Sequence, residues 1–189
     1  MTIERSRLSP PSTAEVIDAT RRWIERAVIG LNLCPFAKAV YVRERIRYVV
    51  SGAQTDAVLL GELERELRAL AEADADIVDT TLLIHPHVLA VFLDYNDFLD
   101  EADRAIARLG LTGVLQIASF HPAYQFGGTT PDDVINHTNR SPYPMLHLLR
   151  EASVEAAVAT FPDTGTISER NIDTLRRLGL HGLMEILRG

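Results

Sequence analysis

The sequence predicts an α/β fold in which crossover helices cover a small, mostly parallel sheet of three or four strands. Residues 46–50, 80–85 and 113–120 are rich in β-branched and aromatic side chains and predict strands, and residues 39–43 are a candidate fourth. Between each of these three predicted strands and the next lies a segment with apolar residues at helical spacing. This strand–helix–strand order favours parallel pairing through right-handed crossovers. The last third of the chain is predicted to be helical.

The chain has 189 residues and a mass of 21.0 kDa, which predicts a flexible N-terminal arm at residues 1–11 and a single α/β domain at 12–189. Its net charge of -7 disfavours nucleic acid and anionic membranes as partners, because both require a basic surface. Cys34 is the single cysteine, so no intramolecular disulfide can form. The sequence shows no signal peptide and no apolar run of membrane-spanning length, and we expect a soluble, cytoplasmic protein.

The first helix is predicted to begin after Ser12, because Ser12 and Glu15 have the spacing of a capping box. Apolar residues repeat at helical spacing as far as Gly30, which is expected to end this helix. The same spacing predicts two further helices, one in the leucine-rich segment 59–70 and one in the segment 98–109.

Several helices are predicted in the last third of the chain. Thr130 is expected to begin a short helix with a proline in its first turn. Apolar spacing predicts a longer helix over residues 144–161. A capping box at Thr166 is expected to open a helix that ends at Leu178, ahead of a final amphipathic segment at 180–187.

His147 and Glu151 are the first candidate catalytic residues, because their four-residue spacing places them on one side of the predicted helix 144–161. Both sides of that helix are expected to be covered, so the pair is shielded from water and its pKa values are open to shifts. A carboxylate beside an imidazole suits general acid–base catalysis, in which Glu151 orients His147, and equally suits metal ligation. A structural contact between the two side chains is the third interpretation.

His121 joins this group because it ends a predicted strand, and ligands collect at the carboxyl ends of parallel strands. His85 ends another predicted strand at the same edge. Together, His121, His147 and Glu151 would form a site for a divalent metal, zinc or iron, from nitrogen and oxygen ligands. Each histidine alone is equally a loop residue with ordinary hydrogen bonds.

Arg140 and Asn139 are candidate substrate-binding residues beside a predicted helix N-terminus, where a bound anion would lie. Arg150 is a second candidate anion binder, or else the partner of a surface carboxylate. Tyr124 and Gln125 lie in a loop that is expected to face the same edge of the sheet. These residues predict a small-molecule, anionic ligand.

Cys34 is an additional catalytic candidate, as a nucleophile. It is expected near the N-cap of a short helical turn and close to Lys38, and both features lower the pKa of a thiol. Leu33 and Phe36 flank it, however, so a buried structural thiol is the alternative.

Five segments of the chain are similar to a known family, and the similarity extends from residue 23 to residue 178. The segments read LNLCPF at 31–36, DYNDFL at 94–99, ASFHP at 118–122, TNRSPYP at 138–144 and ERNI at 169–172. In these segments the chain resembles the bacterial and plastid family known as domain of unknown function 1415. The resemblance implies one domain in the cytosol or in an organelle of bacterial descent, and it implies no particular activity, cofactor or catalytic residue.

Two functions remain open from the sequence. The first is a small-molecule enzyme, such as a hydrolase or a transferase, in which His121, His147 and Glu151 transfer protons or hold a metal near the Arg140 anion clamp. The second is a non-catalytic ligand-binding or protein-interaction domain, in which these polar residues are structural and the segment 180–187 docks a second subunit in a homodimer. The first function requires the three side chains to converge around an accessible cavity, whereas the second predicts that they are scattered or closed off by packing.

Overall fold

A computed structural model describes the chain at residues 10–160 and 164–188. Its helices and strands are, in chain order, α1 (Thr13–Trp23), α2 (Ala37–Val42), β1 (Ile46–Val50), α3 (Asp56–Glu72), β2 (Thr80–Ile84), α4 (Phe92–Arg108), β3 (Leu115–Phe120), β4 (Met145–Arg150), α5 (Glu151–Thr160) and α6 (Ile167–Arg188). α1 continues directly into a π-helical turn at Ile24–Ile29, and short 3₁₀ helices lie at Val134–Thr138 and Thr164–Thr166. Most of the predicted N-terminal arm, residues 1–9, lies outside the described residues.

The strands form a mixed sheet in the order β1–β2–β4–β3. β1 and β2 pair in parallel, whereas β4 is antiparallel to both β2 and β3. The α/β prediction is therefore confirmed, but the sheet is mixed rather than mostly parallel. Because β1, β2 and β3 still run in one direction, their carboxyl ends lie at the same edge of the sheet.

β4 lies where the sequence predicts the first third of a helix over residues 144–161, and that part of the prediction is wrong. Met145–Arg150 pairs along its whole length with β3, and all of it except Arg150 also pairs with β2 on the other side. The helix begins only at Glu151. Sheet hydrogen bonds and burial on both faces outweigh the intrinsic helix preference of leucine in this segment. The candidate strand at 39–43 is also wrong, because these residues form α2 and its following turn.

The structure confirms the predicted start of α1 and the predicted break in α6, but not the helix start at Thr130. The backbone N–H of Glu15 donates to the Ser12 hydroxyl at 3.3 Å and the Glu15 carboxylate accepts from the Ser12 N–H at 2.8 Å, which completes the capping box of α1. Gly179, with φ 63° and ψ 175°, interrupts α6 at the predicted break after Leu178. The short helix expected from Thr130 begins later, as the 3₁₀ helix Val134–Thr138.

Two apolar cores lie on opposite faces of the sheet. The larger core joins α3 and α4 to one face and includes Leu146 and Leu148 of β4. The smaller core joins α1 and the π-helical turn to the other face, where Met145 is buried. Alternation along β4 therefore assigns its odd-numbered side chains to the α1 face and its even-numbered side chains to the α3/α4 face. None of the helices in the described ranges combines the length and apolar character needed to cross a membrane.

Candidate functional site

Two histidines lie together at the carboxyl edge of the sheet. His85 directly follows β2, His121 directly follows β3, and both side chains are buried. The ring of Tyr95, from α4, contacts both imidazoles, with centroid distances of 5.7 Å to His85 and 5.1 Å to His121. The two strands end at the same edge because β4, which lies between them, is antiparallel to both, so β2 and β3 run in the same direction.

Each imidazole is hydrogen-bonded to the loop that connects β2 to α4. His85 Nδ1 donates to the Val88 carbonyl at 3.0 Å, and His121 Nε2 donates to the Leu89 carbonyl at 3.1 Å. His121 Nδ1 accepts from the Ala123 N–H at 3.0 Å, which selects the neutral tautomer with its proton on Nε2. Leu89 has a left-handed φ of 56°, so the imidazoles stabilise a loop conformation that a leucine rarely adopts.

Burial keeps both imidazoles neutral. It lowers the pKa of His85 to about 4, and the nearby His121 lowers it further, whereas the hydrogen bond to Val88 opposes these effects. Burial likewise lowers the pKa of His121 against the opposing effect of its bond to Leu89. His85 Nε2 has no hydrogen-bond partner among the described residues. Both nitrogens of His121 are occupied, so it could take up a proton or ligate a metal only by giving up a backbone contact.

His147 lies on the α1 face of the sheet, away from the other two histidines. It pairs in register with Leu82 of β2 and with Ala118 of β3, and its ring lies 6.1 Å from that of Phe120. Burial lowers the pKa of His147 to about 4. The side chain is partly exposed to solvent. Desolvation by the surrounding protein nevertheless keeps the imidazole uncharged at neutral pH.

The predicted helical pairing of His147 with Glu151 is wrong, because His147 belongs to β4 and Glu151 begins α5. Four residues of extended chain cover about 13 Å, whereas four residues of helix return to the same side after one turn. The Glu151 N–H donates to the Val114 carbonyl at 3.0 Å, immediately before β3 begins. Glu151 and His121 therefore lie at opposite ends of β3, and His147 lies on the other face of the sheet.

The predicted metal ligands are accordingly not brought together. His121, His147 and Glu151 are separated by the sheet and by the length of β3. In residues 10–160 and 164–188 there is no group of three or more His, Cys, Asp or Glu side chains that could hold a metal ion. The described part of the chain thus lacks the donor set on which the metal prediction depends.

Three of the predicted substrate-binding residues, in the loop between β3 and β4, use their polar groups on β3 or on the loop itself. Asn139 Nδ2 donates to the Ser119 carbonyl at 3.1 Å, and Gln125 Nε2 donates to the Thr129 carbonyl at 2.6 Å. The Tyr124 hydroxyl lies 3.4 Å from the Ser119 hydroxyl. These contacts hold the loop in place and leave the three side chains engaged with the protein itself.

Arg150 has a comparable structural position at the end of β4. Its guanidinium donates to the carbonyls of Leu70 and Ala73, both at 2.6 Å, and to the Val78 carbonyl at 3.2 Å. Leu70 belongs to the last turn of α3 and Ala73 follows it, so Arg150 satisfies carbonyls that the helix end leaves unpaired. This position accounts for the charge of Arg150 without an external anion.

Arg140 differs from these residues because its guanidinium lines an open cleft. Its Nε donates to the Tyr124 carbonyl at 3.0 Å, its Nη2 to the Pro131 carbonyl at 2.7 Å and its Nη1 to His137 Nε2 at 3.2 Å. A guanidinium has five N–H groups, so one N–H on each terminal nitrogen has no partner among the described residues.

The cleft beside Arg140, here called the Arg140 cleft, has a volume of about 330 Å³. The lining comes from α1, from the 3₁₀ helix Val134–Thr138 with the loops on either side of it, and from the end of α6. The lining residues are Ala19, Arg22, Trp23, Pro122, His137, Arg140, Ser141, Pro142 and Leu187. The volume is at the lower end of the range of about 300–1,000 Å³ that small-molecule sites occupy. Sequence reasoning found Arg140 but missed Arg22, Trp23 and His137, because these residues are remote from it in the chain or carry no motif.

The lining of the Arg140 cleft is cationic. Arg22 and Arg140 both line it, and no carboxylate of residues 10–160 or 164–188 does. Neither arginine forms an ion pair with a carboxylate of the described residues. Burial lowers the pKa of Arg140, and the exposed Asp132, which does not line the cleft, opposes that shift. Burial, followed by the charge of Arg140, lowers the pKa of His137 to about 4, so His137 is a neutral acceptor there.

A second cleft, of about 380 Å³, lies between α3 and α4. Its lining residues are Asp56, Ala57, Leu60, Asp94, Asp97, Phe98 and Glu101. Four carboxylates without a lining cation would repel the anionic ligand that the sequence predicts. Glu101 already forms an ion pair with Arg104. None of the predicted site residues lies in this second cleft.

Cys34 lies between the π-helical turn and α2. Its N–H donates to the Val28 carbonyl at 3.4 Å, and its carbonyl accepts from the Ala37 N–H at 3.3 Å. The residue is half-buried and lines neither of the two clefts. A nucleophilic role for Cys34 therefore remains a prediction, and neither of the two clefts would bring a substrate to its thiol.

Comparison with known proteins gives one informative result. No curated protein and no solved structure matches the chain. A family model matches residues 15–185, a range that includes eight of the nine residues lining the Arg140 cleft. The chain therefore belongs to the family described as "Protein of unknown function (DUF1415)", as its five characteristic segments predict.

Proposed function

We propose that this protein is a ligand-binding domain that holds a small anion in the Arg140 cleft. The observation that carries the proposal is the presence of Arg22 and Arg140 in one cleft, together with the absence of a carboxylate from its described lining residues. The two unpartnered N–H groups of Arg140 could donate to two oxygens of the anion, the strongest arrangement available to a guanidinium. The net charge of -7 does not oppose this, because a local cluster of cations sets the potential in a cleft.

The Arg140 side chain is already ordered before any ligand arrives. Hydrogen bonds to Tyr124, Pro131 and His137 hold the guanidinium, so binding costs little additional side-chain entropy. Partial burial also disfavours the charged form of Arg140, as the lowered pKa indicates. An anion in the cleft would compensate that desolvation with a charge-assisted contact.

The alternative function is catalysis by His121, His147 and Glu151. Their separation across the sheet favours binding over this form of catalysis, because general acid–base groups must reach the same substrate within hydrogen-bond distance. The two nitrogens of His121 already contact backbone groups. In the proposed function these three residues are structural.

Titration of the full-length protein, followed by two-dimensional amide NMR, tests the proposal. The probes are phosphate, acetate and hexanoate, with sodium chloride at matched ionic strength as the salt control. We expect saturable shifts in the amides of residues 137–141 and near Arg22. Sodium chloride should not reproduce them.

Arg22→Ala is the informative variant, because Arg22 is exposed and forms no ion pair or hydrogen bond among the described residues. Loss of one charge-assisted contact should weaken binding about tenfold or more. Arg68→Ala is the matched control, since Arg68 is an exposed arginine on α3, across the sheet from the cleft. The proposal is wrong if no probe gives saturable shifts, or if Arg22→Ala and Arg68→Ala bind the probes equally.

A further inference from the structure

The Arg140 cleft has an apolar wall in addition to its two arginines. Five of its nine lining residues are apolar: Ala19, Trp23, Pro122, Pro142 and Leu187. Trp23 is only 7% exposed, and its ring meets that of Phe120 edge-on at 5.3 Å. The wall is thus continuous with the apolar core on the α1 face of the sheet.

Hydrogen bonds hold this wall in place. Arg26 Nη1 donates to the Leu187 carbonyl at 3.1 Å, which fastens the end of α6 to the π-helical turn. The Ser141 hydroxyl donates to the Tyr143 carbonyl at 2.7 Å and so orders the turn around Pro142. Because these contacts exist without a ligand, the apolar wall is preformed and a ligand would not have to order it.

We propose that the ligand is a small organic carboxylate with an apolar body. Its carboxylate would lie against Arg140 and Arg22, and its hydrocarbon part would pack on Trp23 and Leu187. This inference rests on the proposed anion site and adds the class of ligand that the site selects. An inorganic ion would leave the apolar wall exposed to water. A hydrocarbon body that packs on the wall removes from water both the wall and its own apolar surface. The two available N–H groups of Arg140 match the two oxygens of a carboxylate.

A series of straight-chain acids tests the ligand class. Trp23 is the single tryptophan of the chain, so its fluorescence reports on this cleft without a label. From acetate through butyrate to hexanoate, we expect the dissociation constant to fall about fourfold for each added methylene until the cleft is filled. Hexanamide has the same hydrocarbon chain but no charge, and its affinity should be lower than that of hexanoate by a factor of about ten or more.

A pair of leucine variants separates the apolar contact from the ionic one. Leu187→Ala should weaken hexanoate binding and leave acetate binding unchanged. Leu180→Ala is the matched control, because Leu180 belongs to the same part of α6 but is 49% exposed and does not line the cleft. The acid series on the unmodified protein is decisive by itself if Leu187→Ala fails to fold.

The outcomes distinguish this inference from the proposed function. Arg22-dependent binding with equal affinity for acetate and hexanoate would overturn the ligand class and leave the anion site in place. Equal binding of hexanamide and hexanoate would overturn the requirement for a carboxylate. If none of the anions binds in an Arg22-dependent way, the proposed function itself is wrong.

Discussion

His85 and His121 follow strands that are not neighbours in the sheet, yet they donate hydrogen bonds to consecutive carbonyls of one loop. The acceptors are Val88 and Leu89, between β2 and α4. The antiparallel strand β4 separates the two histidines along the sheet, and the loop reconnects them above its edge. The conformation of this loop therefore depends on two imidazoles that burial keeps neutral.

We expect the protein to lose stability as the pH falls from about 6.5 to about 4. The pKa of His85 is about 4 in the folded protein and about 6.5 in the unfolded chain, so the unfolded chain takes up the proton first. The stabilisation is complete above pH 6.5, declines as the pH approaches 4 and changes little below that. For a shift of this size the contribution of His85 to the loss is on the order of 3 kcal/mol. Urea unfolding at several pH values across this range measures it.

Two histidine variants show whether His85 causes the acid sensitivity. His85→Gln should make the dependence of the unfolding free energy on pH less steep, and His137 and His147, whose pKa values are also about 4, account for the part that remains. His87→Gln is the control, since His87 is an exposed histidine in the same loop. The groups acting on the titration of His85 are His121 and the backbone near Val88, with no carboxylate among them. An unchanged pH slope in His85→Gln would assign the acid sensitivity to other groups.

His147→Leu should reduce the acid sensitivity without affecting the Arg140 cleft. Desolvation is the cause of the lowered pKa of His147, so the imidazole binds a proton more weakly in the folded protein than in the unfolded chain. A leucine at this position removes that difference. At neutral pH we expect a change of less than about 1.5 kcal/mol, because leucine is an apolar side chain of similar size. The same hexanoate titration checks the cleft. Loss of binding in a folded His147→Leu protein would place His147 in the ligand site.

The sequence predicted three of the strands because each is a β-branched or aromatic run bounded by helical periodicity. β1 is Ile46–Val50, as predicted, and the strand ends at Ile84 and Phe120 lie within one residue of the predicted ends. β4 was not predictable on the same grounds. Its residues are Met-Leu-His-Leu-Leu-Arg, without β-branching, and α5 follows without a turn. Only the prolines at 142 and 144 signal an extended start.

The error in β4 also explains why the site prediction was incomplete. In a helix, His147 would lie one turn from Glu151, whereas in β4 the alternation of side chains places it on the α1 face of the sheet. Treating residues 144–161 as a helix therefore misplaced His147 relative to His121. Arg140 was identified because its neighbours indicated an anion site in the local sequence. Its companions Arg22 and Trp23 come from α1, more than a hundred residues earlier, and only the tertiary packing brings them together.

Arg150→Met should destabilise the fold and leave ligand binding intact. Methionine keeps much of the apolar side chain but removes every hydrogen bond to the carbonyls of Leu70, Ala73 and Val78. Leaving partly buried carbonyls unpaired should cost about 2–4 kcal/mol of unfolding free energy. Urea unfolding measures this, with Arg68→Ala expected to change stability by less than about 0.5 kcal/mol as an exposed control. If Arg150→Met abolished hexanoate binding in a folded protein, Arg150 would belong to the ligand site after all.

Gly30→Ala and Gly61→Ala should change stability in opposite directions. A Cβ at Gly30, which ends the π-helical turn, would lie 2.3 Å from the Arg26 carbonyl oxygen, a distance that forces the backbone to move. At Gly61, inside α3, the nearest atom to an added Cβ is 3.9 Å away, on the Arg65 side chain. We expect Gly30→Ala to cost about 1–3 kcal/mol through overpacking, and Gly61→Ala to stabilise by about 0.5–1 kcal/mol through reduced backbone entropy in the unfolded chain. Urea unfolding of both variants tests the pair, and a neutral Gly30→Ala would mean that the π-helical turn can relax into an ordinary helix end.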